Sequence, residues 1–272
     1  MTYFGFLLRF LVLPILLLLF VYWREKNKPT PGFDERRIWR SILLHIFIAV
    51  IYTTPWDNYL VATGVWYYDP ELVTGIVFGY VPLEEYTFFV LETLMIGLWW
   101  WTLARRDFFL PKNTFQPNKA LRSWTLGLLV VVWVISFSVL LSGWEPGTYL
   151  AITLTWALPA IAPQLAFGAD ILWHYRRLLG TVILTGAGYL SAMDAVAIEA
   201  GTWTIAPSQS TGIMIGNLPI EEAVFFLITV VLISFGITLL LADVSQERLA
   251  ELRTLLGRLR GRGSTSVKDS GA

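Results

Sequence analysis

Seven runs of about twenty apolar residues recur along the chain, and a run of that length matches the thickness of a bilayer core. They fall at 3–22, 39–56, 82–103, 123–142, 148–167, 178–198 and 219–242. The pattern predicts an all-α integral membrane protein with seven transmembrane helices. Only 15% of the 272 residues are charged, whereas soluble domains carry roughly a quarter. The formal net charge is zero, so no nucleic-acid partner is expected. The chain has no cysteine, which excludes disulfides, thiolate metal sites and cysteine nucleophiles. The first run lacks a basic segment before it and a small-residue cleavage site after it, so it reads as a retained helix rather than a signal peptide.

The basic residues orient the spans. Arg24, Lys26, Lys28, Arg36, Arg37 and Arg40 follow or precede spans one and two. Arg105, Arg106, Lys112, Lys119 and Arg122 lie between spans three and four, and Arg176 and Arg177 between five and six. The remainder, apart from Arg9, lie in the C-terminal tail. The alternate loops, 57–81, 143–147 and 199–218, hold none. Basic loops stay cytoplasmic, which predicts a multi-pass protein of the cell membrane with its N-terminus outside and its C-terminus inside. In the tail, Leu249, Leu252, Leu255, Leu256 and Leu259 recur at helical spacing among arginines. They suggest an amphipathic helix on the inner membrane surface, with disorder expected from Gly261 onward.

Shifted by 137 residues, the sequence matches itself without a gap. Tyr52 falls on Tyr189, Asp57 on Asp194, Gly64 on Gly201 and Trp66 on Trp203. Pro82, Glu84 and Glu85 fall on Pro219, Glu221 and Glu222, and Phe88 and Phe89 on Phe225 and Phe226. Shared apolar composition does not produce matched Asp, Trp, Pro and paired Glu in one register. The shift carries span three onto span seven, four spans on, so the two repeats point the same way. The expected layout is a three-helix repeat over 1–110, a linking helix over 111–145, a second three-helix repeat over 146–243 and a basic tail over 244–272. Both Pro-x-Glu-Glu motifs then stand at the outer side, where two halves can build one composite site.

Proline is tolerated at the start of a helix, so Glu84 and Glu85, like Glu221 and Glu222, are expected in a first turn. The helix dipole favours negative charge there, while burial favours the neutral acid. Adjacent glutamates point about 100° apart, so one of each pair is free to face the sister repeat. Glu85, Phe88, Phe89 and Glu92 share one face; the second repeat has Thr229 in place of Glu92. Glutamate near a helix start also serves as a cap, but two copies, each preceded by a span ending in Asp, point to function. Asp57, Asp194 and Glu92 are candidates for supporting or proton-relay roles. Trp66, Trp203, Phe88, Phe89, Phe225, Phe226, Tyr52 and Tyr189 are candidates for substrate contact, although aromatic belts at membrane interfaces are ordinary. His45 and His174 differ in depth and make no metal pair, and Gly186-Ala187-Gly188 sits inside a span, where it opens no phosphate site. No metal or cofactor is expected.

Pro55-Trp56-Asp57-Asn58-Tyr59, Gly64-Val65-Trp66-Tyr67-Tyr68 and Pro82-Leu83-Glu84-Glu85-Tyr86-Thr87-Phe88-Phe89 resemble the first half of the membrane-integral lycopene cyclases. Asp194, Gly201-Thr202-Trp203 and Pro219-Ile220-Glu221-Glu222-Ala223-Val224-Phe225-Phe226 resemble the second half. The likeness covers about residues 35–240. It departs at Ala192-Met193, where the first half has Pro55-Trp56. The resemblance implies acid-catalysed, non-redox closure of the linear ends of lycopene to β-ionone rings, through γ-carotene to β-carotene, within the bilayer and without a cofactor. It assigns acid and base to the set Glu84, Glu85, Glu221 and Glu222. A related cyclase making ε-rings or acting on C50 carotenoids shares these features. A small proton-coupled transporter with parallel three-helix repeats and a non-catalytic carotenoid-binding protein are the readings from other classes.

Overall fold

The computed structural model describes residues 1–265, with side chains through residue 254. Seven of its helices are long and apolar enough to cross a membrane. They are α1 (Tyr3–Glu25), α2 (Ile38–Ala62), α3 (Leu83–Ala104), α4 (Lys119–Leu141), α5 (Thr148–His174), α6 (Arg176–Glu199) and α7 (Ile220–Leu241). An eighth helix, α8 (Asp243–Thr265), follows them. The chain is a multi-pass membrane protein.

Helices α3 and α7 are the most enclosed, with 72% and 56% of their apolar windows buried, whereas α4 buries 6%. The core is therefore built around α3 and α7, and α4 lies at the periphery against α5. Exposed Leu16, Leu17, Phe20, Phe47 and Ile51 face outward. In water such faces would be unstable; in lipid they are in their own solvent.

Inside a bilayer every freed backbone group needs a protein partner. Pro14 cannot donate to the carbonyl of Phe10; α1 takes a π-helical turn over Leu8–Val12 just before it, and the Tyr189 hydroxyl donates to Phe10 O at 2.7 Å. Pro159 likewise frees the carbonyl of Thr155, and Trp133 Nε1 donates to it at 3.1 Å. Pro55 does not end α2: the helix runs on to Ala62, past the expected end at 56. Thr54 Oγ1 and Asn58 Nδ2 donate to carbonyls one turn back around that gap. The fifth span also outruns its expected end at 167. Its axis bends at Gly168, whose backbone is non-helical, and a Cβ there would stand 2.3 Å from Leu239 Cδ2.

Six short strands lie at the end of the bundle away from the basic loops: β1 (Trp66–Tyr68), β2 (Val77–Phe78), β3 (Val81–Pro82), β4 (Trp203–Ile205), β5 (Met214–Ile215) and β6 (Leu218–Pro219). β2 pairs with β3 and β5 with β6 as tight hairpins, each delivering the chain into α3 or α7. β1 pairs antiparallel with β4, and its register sets Tyr67 opposite Thr204, residues that coincide under the 137-residue shift. Glu92 and Thr229, another such pair, meet deeper in the bundle at 2.9 Å.

At the basic end, Arg248 of α8 grips the Asp170 carboxylate through Nη1 at 2.8 Å and Nη2 at 2.7 Å. The Asn118 backbone N–H adds a third bond at 2.9 Å. This fixes the start of α8 beneath α5. The helix is described as far as Thr265. The side chains of Leu255, Leu256 and Leu259, and all of residues 266–272, lie outside the described residues.

The hairpin turns depend on glycine. Gly79 and Gly216 both adopt positive φ, +69° and +64°. A Cβ on Gly79 would also stand 2.1 Å from Asn58 Oδ1, which accepts the Tyr80 N–H at 2.8 Å, while Gly216 has open space. Gly216→Ala should cost about 1–2 kcal/mol from backbone strain alone, and Gly79→Ala clearly more. Thermal unfolding of the purified proteins in detergent checks the order.

Candidate active site

The two glutamates that open α3 divide their work, because neighbouring side chains on a helix point in different directions. Glu84 turns back to its own loop, where Oε1 accepts the Thr74 backbone N–H at 2.6 Å. Glu221 of α7 does the same: Oε1 accepts from Thr211 N at 2.7 Å and Thr211 Oγ1 at 2.6 Å, and Oε2 from Ser210 Oγ at 3.0 Å. Both tie the loop before the helix to its first turn. Glu85 and Glu222 point into the bundle instead.

Glu85 Oε2 accepts hydrogen bonds from the hydroxyls of Tyr3 and Tyr68, the latter at 3.1 Å. Glu222 Oε1 accepts from the Tyr149 hydroxyl at 2.7 Å. Asp194 neighbours Glu222 and accepts the Trp203 indole N–H at 2.8 Å. Asp57 neighbours Glu85, is wholly buried and has the Trp66 indole beside it, as Asp194 has that of Trp203. Tyr68 belongs to β1, outside the spans. Burial, with the Asp57 and Glu85 carboxyls beside it, holds its phenol well above the ordinary value, so it remains a donor at any working pH.

Glu85, Asp194 and Glu222 look into one small cavity of about 30 Å³, enough for a water molecule or two. Aromatic rings form the rest of its wall: Tyr3, Tyr68, Trp66, Trp203, Phe88, Phe225 and Phe226. Behind Phe225, Trp56 stacks at 5.4 Å and 6°. Phe88 and Phe226 meet edge to face across α3 and α7 at 6.2 Å. No group of His, Asp and Glu suited to a metal ion occurs among the described residues.

Of the candidates read from the sequence, the cavity gathers Glu85, Glu222, Asp194, Trp66, Trp203, Phe88, Phe225 and Phe226, with Asp57 beside it. Glu84 and Glu221 stand apart, their side chains turned to the preceding loops. Phe89 and Glu92 line a neighbouring groove. Tyr52 and Tyr189 do not reach the cavity; their hydroxyls donate to the carbonyls of Trp156 and Phe10, both at 2.7 Å. Tyr3 and Tyr149, which supply donors to the two inward glutamates, were not among the candidates. Under the 137-residue shift Tyr149 falls on Val12 rather than on a tyrosine. A tyrosine at the motif-bearing end of an apolar run was the one signal available for each.

A family model described as lycopene cyclase matches residues 2–102 and 146–241. A lycopene beta-cyclase of Halobacterium salinarum is 40% identical over 192 residues, which is 71% of this chain and 78% of the relative. A bifunctional lycopene cyclase/phytoene synthase of Podospora anserina is 33% identical over 198 residues, 70% of this chain and 33% of the fungal protein. One from Aspergillus oryzae is 30% identical over 224 residues, 81% of this chain and 36% of the relative. No solved structure matches.

Proposed function

The chain belongs to the lycopene cyclase family, and on that premise we propose that it closes the linear ends of lycopene to β-ionone rings by acid–base catalysis without redox change. The observation that carries this reading is the convergence of Glu85 and Glu222, one from each half of the chain, on a single aromatic-walled cavity. The substrate is a carotene dissolved in the bilayer, and the protein sits in the cell membrane with its basic loops and tail inside and the cavity toward the outer face. Two three-helix repeats, 1–110 and 146–243, joined by the linking helix over 111–145, account for the shared motif. The tail over 244–272 rests on the inner membrane surface.

An alkene is a very weak base, so its proton donor must be a neutral carboxylic acid in a dry place. Protonation of the terminal double bond gives a tertiary cation. The neighbouring internal double bond attacks it, closing the six-membered ring and moving the positive charge into the ring. A carboxylate then takes the ring proton whose loss sets the β double bond. One proton enters and one leaves, so the cycle needs no cofactor. Trp66, Trp203, Phe225 and Phe226 line the cavity, and each ring face turned to the cation is worth roughly 0.5–2 kcal/mol. The carotene end, filling so small a space, displaces water that would trap the cation as an alcohol.

We assign acid and base to Glu85 and Glu222, the two of the four glutamates whose side chains line the cavity. Two phenols donate to Glu85, which suits the carboxylate that receives the ring proton; Glu222, with one phenol, is the donor. Asp57 and Asp194 return the proton between them, and Glu92 supports the cluster from below. Glu84 and Glu221 act by holding the loops in register.

Glu85→Gln and Glu222→Gln should each lower cyclisation at least about a hundredfold, the scale of a lost acid or base. Glu84→Gln and Glu221→Gln should keep most of the activity and lose thermal stability instead. Pigment chromatography from lycopene-accumulating cells, normalised to protein amount, reads the difference. Full β-carotene output from both inward variants would end the proposal.

A carotene is about as long as the bilayer core, roughly 30 Å, so one cavity near one face handles one end at a time. Monocyclic γ-carotene should build up and leave the protein before β-carotene appears. A time course that shows β-carotene with no earlier γ-carotene would point to two sites.

A further inference from the structure

Below the acid cavity, a lateral groove of about 260 Å³ runs between α2, α5 and α7, with Phe89, Glu92 and Thr93 of α3 also in its wall. Along each helix its lining extends about two turns, roughly 12 Å, from the level of Phe225 and Trp156 toward that of His45 and Gln164. Phe225 belongs to both spaces: it lines the groove and the cavity. A ladder of near-parallel rings leads from the lipid face to that shared wall. Tyr52 stacks on Trp156 at 5.5 Å, Trp156 on Trp56 at 4.5 Å and Trp56 on Phe225 at 5.4 Å. Tyr52 is 38% exposed, and Phe47 and Ile51 beside it are open to lipid. Several polar side chains within the groove are turned onto protein partners: Glu92 accepts from Thr229 at 2.9 Å, His45 Nδ1 lies 2.7 Å from Ser41 O, and Gln164 Nε2 donates to Leu232 O at 3.4 Å. What remains for an occupant is mainly hydrocarbon and flat aromatic surface.

A related groove, also about 260 Å³, lies on the other side between α1, α3 and α6. Tyr189, Gly186 and Ile96 stand in it where Tyr52, Ala49 and Ile233 stand in the first. It shares no lining residue with the acid cavity. One feature of sequence explains the inequality: Met193 replaces Trp56, so the ring ladder is missing.

We propose that the α2–α5–α7 groove is the seat and lateral portal of the polyene, and that the α1–α3–α6 groove is not. This inference rests on the cyclase reading above. The groove runs along the helix axes, the direction of the lipid acyl chains. A rigid linear carotene therefore slides in sideways, with one end under Phe225 and the rest extended toward the basic end of the bundle. Phe225 swings aside to admit the terminal isoprene units to Glu85 and Glu222. Because only one of these two grooves shares a wall with the acid cavity, the second end of the molecule must leave, reverse and return by the same portal.

Two measurements on the full chain in liposomes containing lycopene test this. Ala160→Phe and Ala49→Phe narrow the groove from different helices, and Leu18→Phe narrows its counterpart. Cyclisation should fall about tenfold or more in the first two, equivalent to roughly 1.4 kcal/mol of lost binding, and stay near wild type in the third. The chain has no cysteine, so Ala160→Cys and Leu18→Cys each carry one thiol. Lycopene should protect Ala160→Cys from a membrane-permeant thiol reagent and leave Leu18→Cys unprotected, a readout that does not require a filled groove to fold. Wild-type activity that persists in Ala160→Phe, or equal labelling of both thiols with and without lycopene, overturns the groove assignment while leaving the cyclase reading intact. If the wild-type chain itself forms no cyclic product, the cyclase reading fails and the groove assignment fails with it.

Discussion

A carboxyl group removed from water must find hydrogen-bond donors or give up its charge, and four such groups meet in the core of this protein. Asp57, Glu85, Asp194 and Glu222 are all at least nine-tenths buried, with no basic side chain lining the cavity they share or border. What they have instead is a small set of neutral donors: three phenols and the Trp203 indole. Buried carboxyls are expensive in a fold held together by lipid-facing apolar helices, and a chain without use for them would replace them with leucine. Their arrangement supports proton chemistry on a substrate that is itself apolar.

The hairpins explain how the cluster is held. Glu84 and Glu221 accept backbone N–H groups from the loops that precede their helices, so each loop is fastened to the first turn it leads into. The β1–β4 ribbon then joins the two loops across the middle. Trp66 and Trp203 are carried by this ribbon into the cavity wall. The outward glutamate of each pair thus fixes the frame from which the inward one projects. A loss at Glu84 reaches the chemistry only through the position of that frame.

Much of this was legible in the sequence. Hydropathy placed all seven spans, because in a bilayer the apolar run and the helix are the same object. The boundaries that slipped did so where hydropathy says nothing. Pro55 reads as a stop but is carried through, and the bend at Gly168 lengthens α5 rather than ending it. The self-match singled out the glutamate pairs, both tryptophans and both aspartates. It could not tell Glu84 from Glu85, since that choice is made by a loop folding back on its own helix. Nor could it find Tyr3 and Tyr149, which lie on helices that do not align in the repeat register. Tyr52 and Tyr189 match under the shift as well, and their hydroxyls satisfy backbone carbonyls outside the acid cavity.

The departures from symmetry carry the last step. Tyr68 faces Glu85, and the matching residue beside Glu222 is Ile205. Trp56 extends the ring ladder on one side, and Met193 interrupts it on the other. Glu92 and Thr229 bond to each other rather than each to its own kind. A two-fold arrangement of identical halves would offer two equal grooves and two equal carboxyls, with nothing to decide which gives a proton and which receives one. Cyclisation needs those roles to differ, because the proton added and the proton removed sit on different carbons of the same ring. Tyr68 gives one carboxyl a further donor and Trp56 carries the ring ladder to the shared wall at Phe225, an inequality that suits a directed proton transfer.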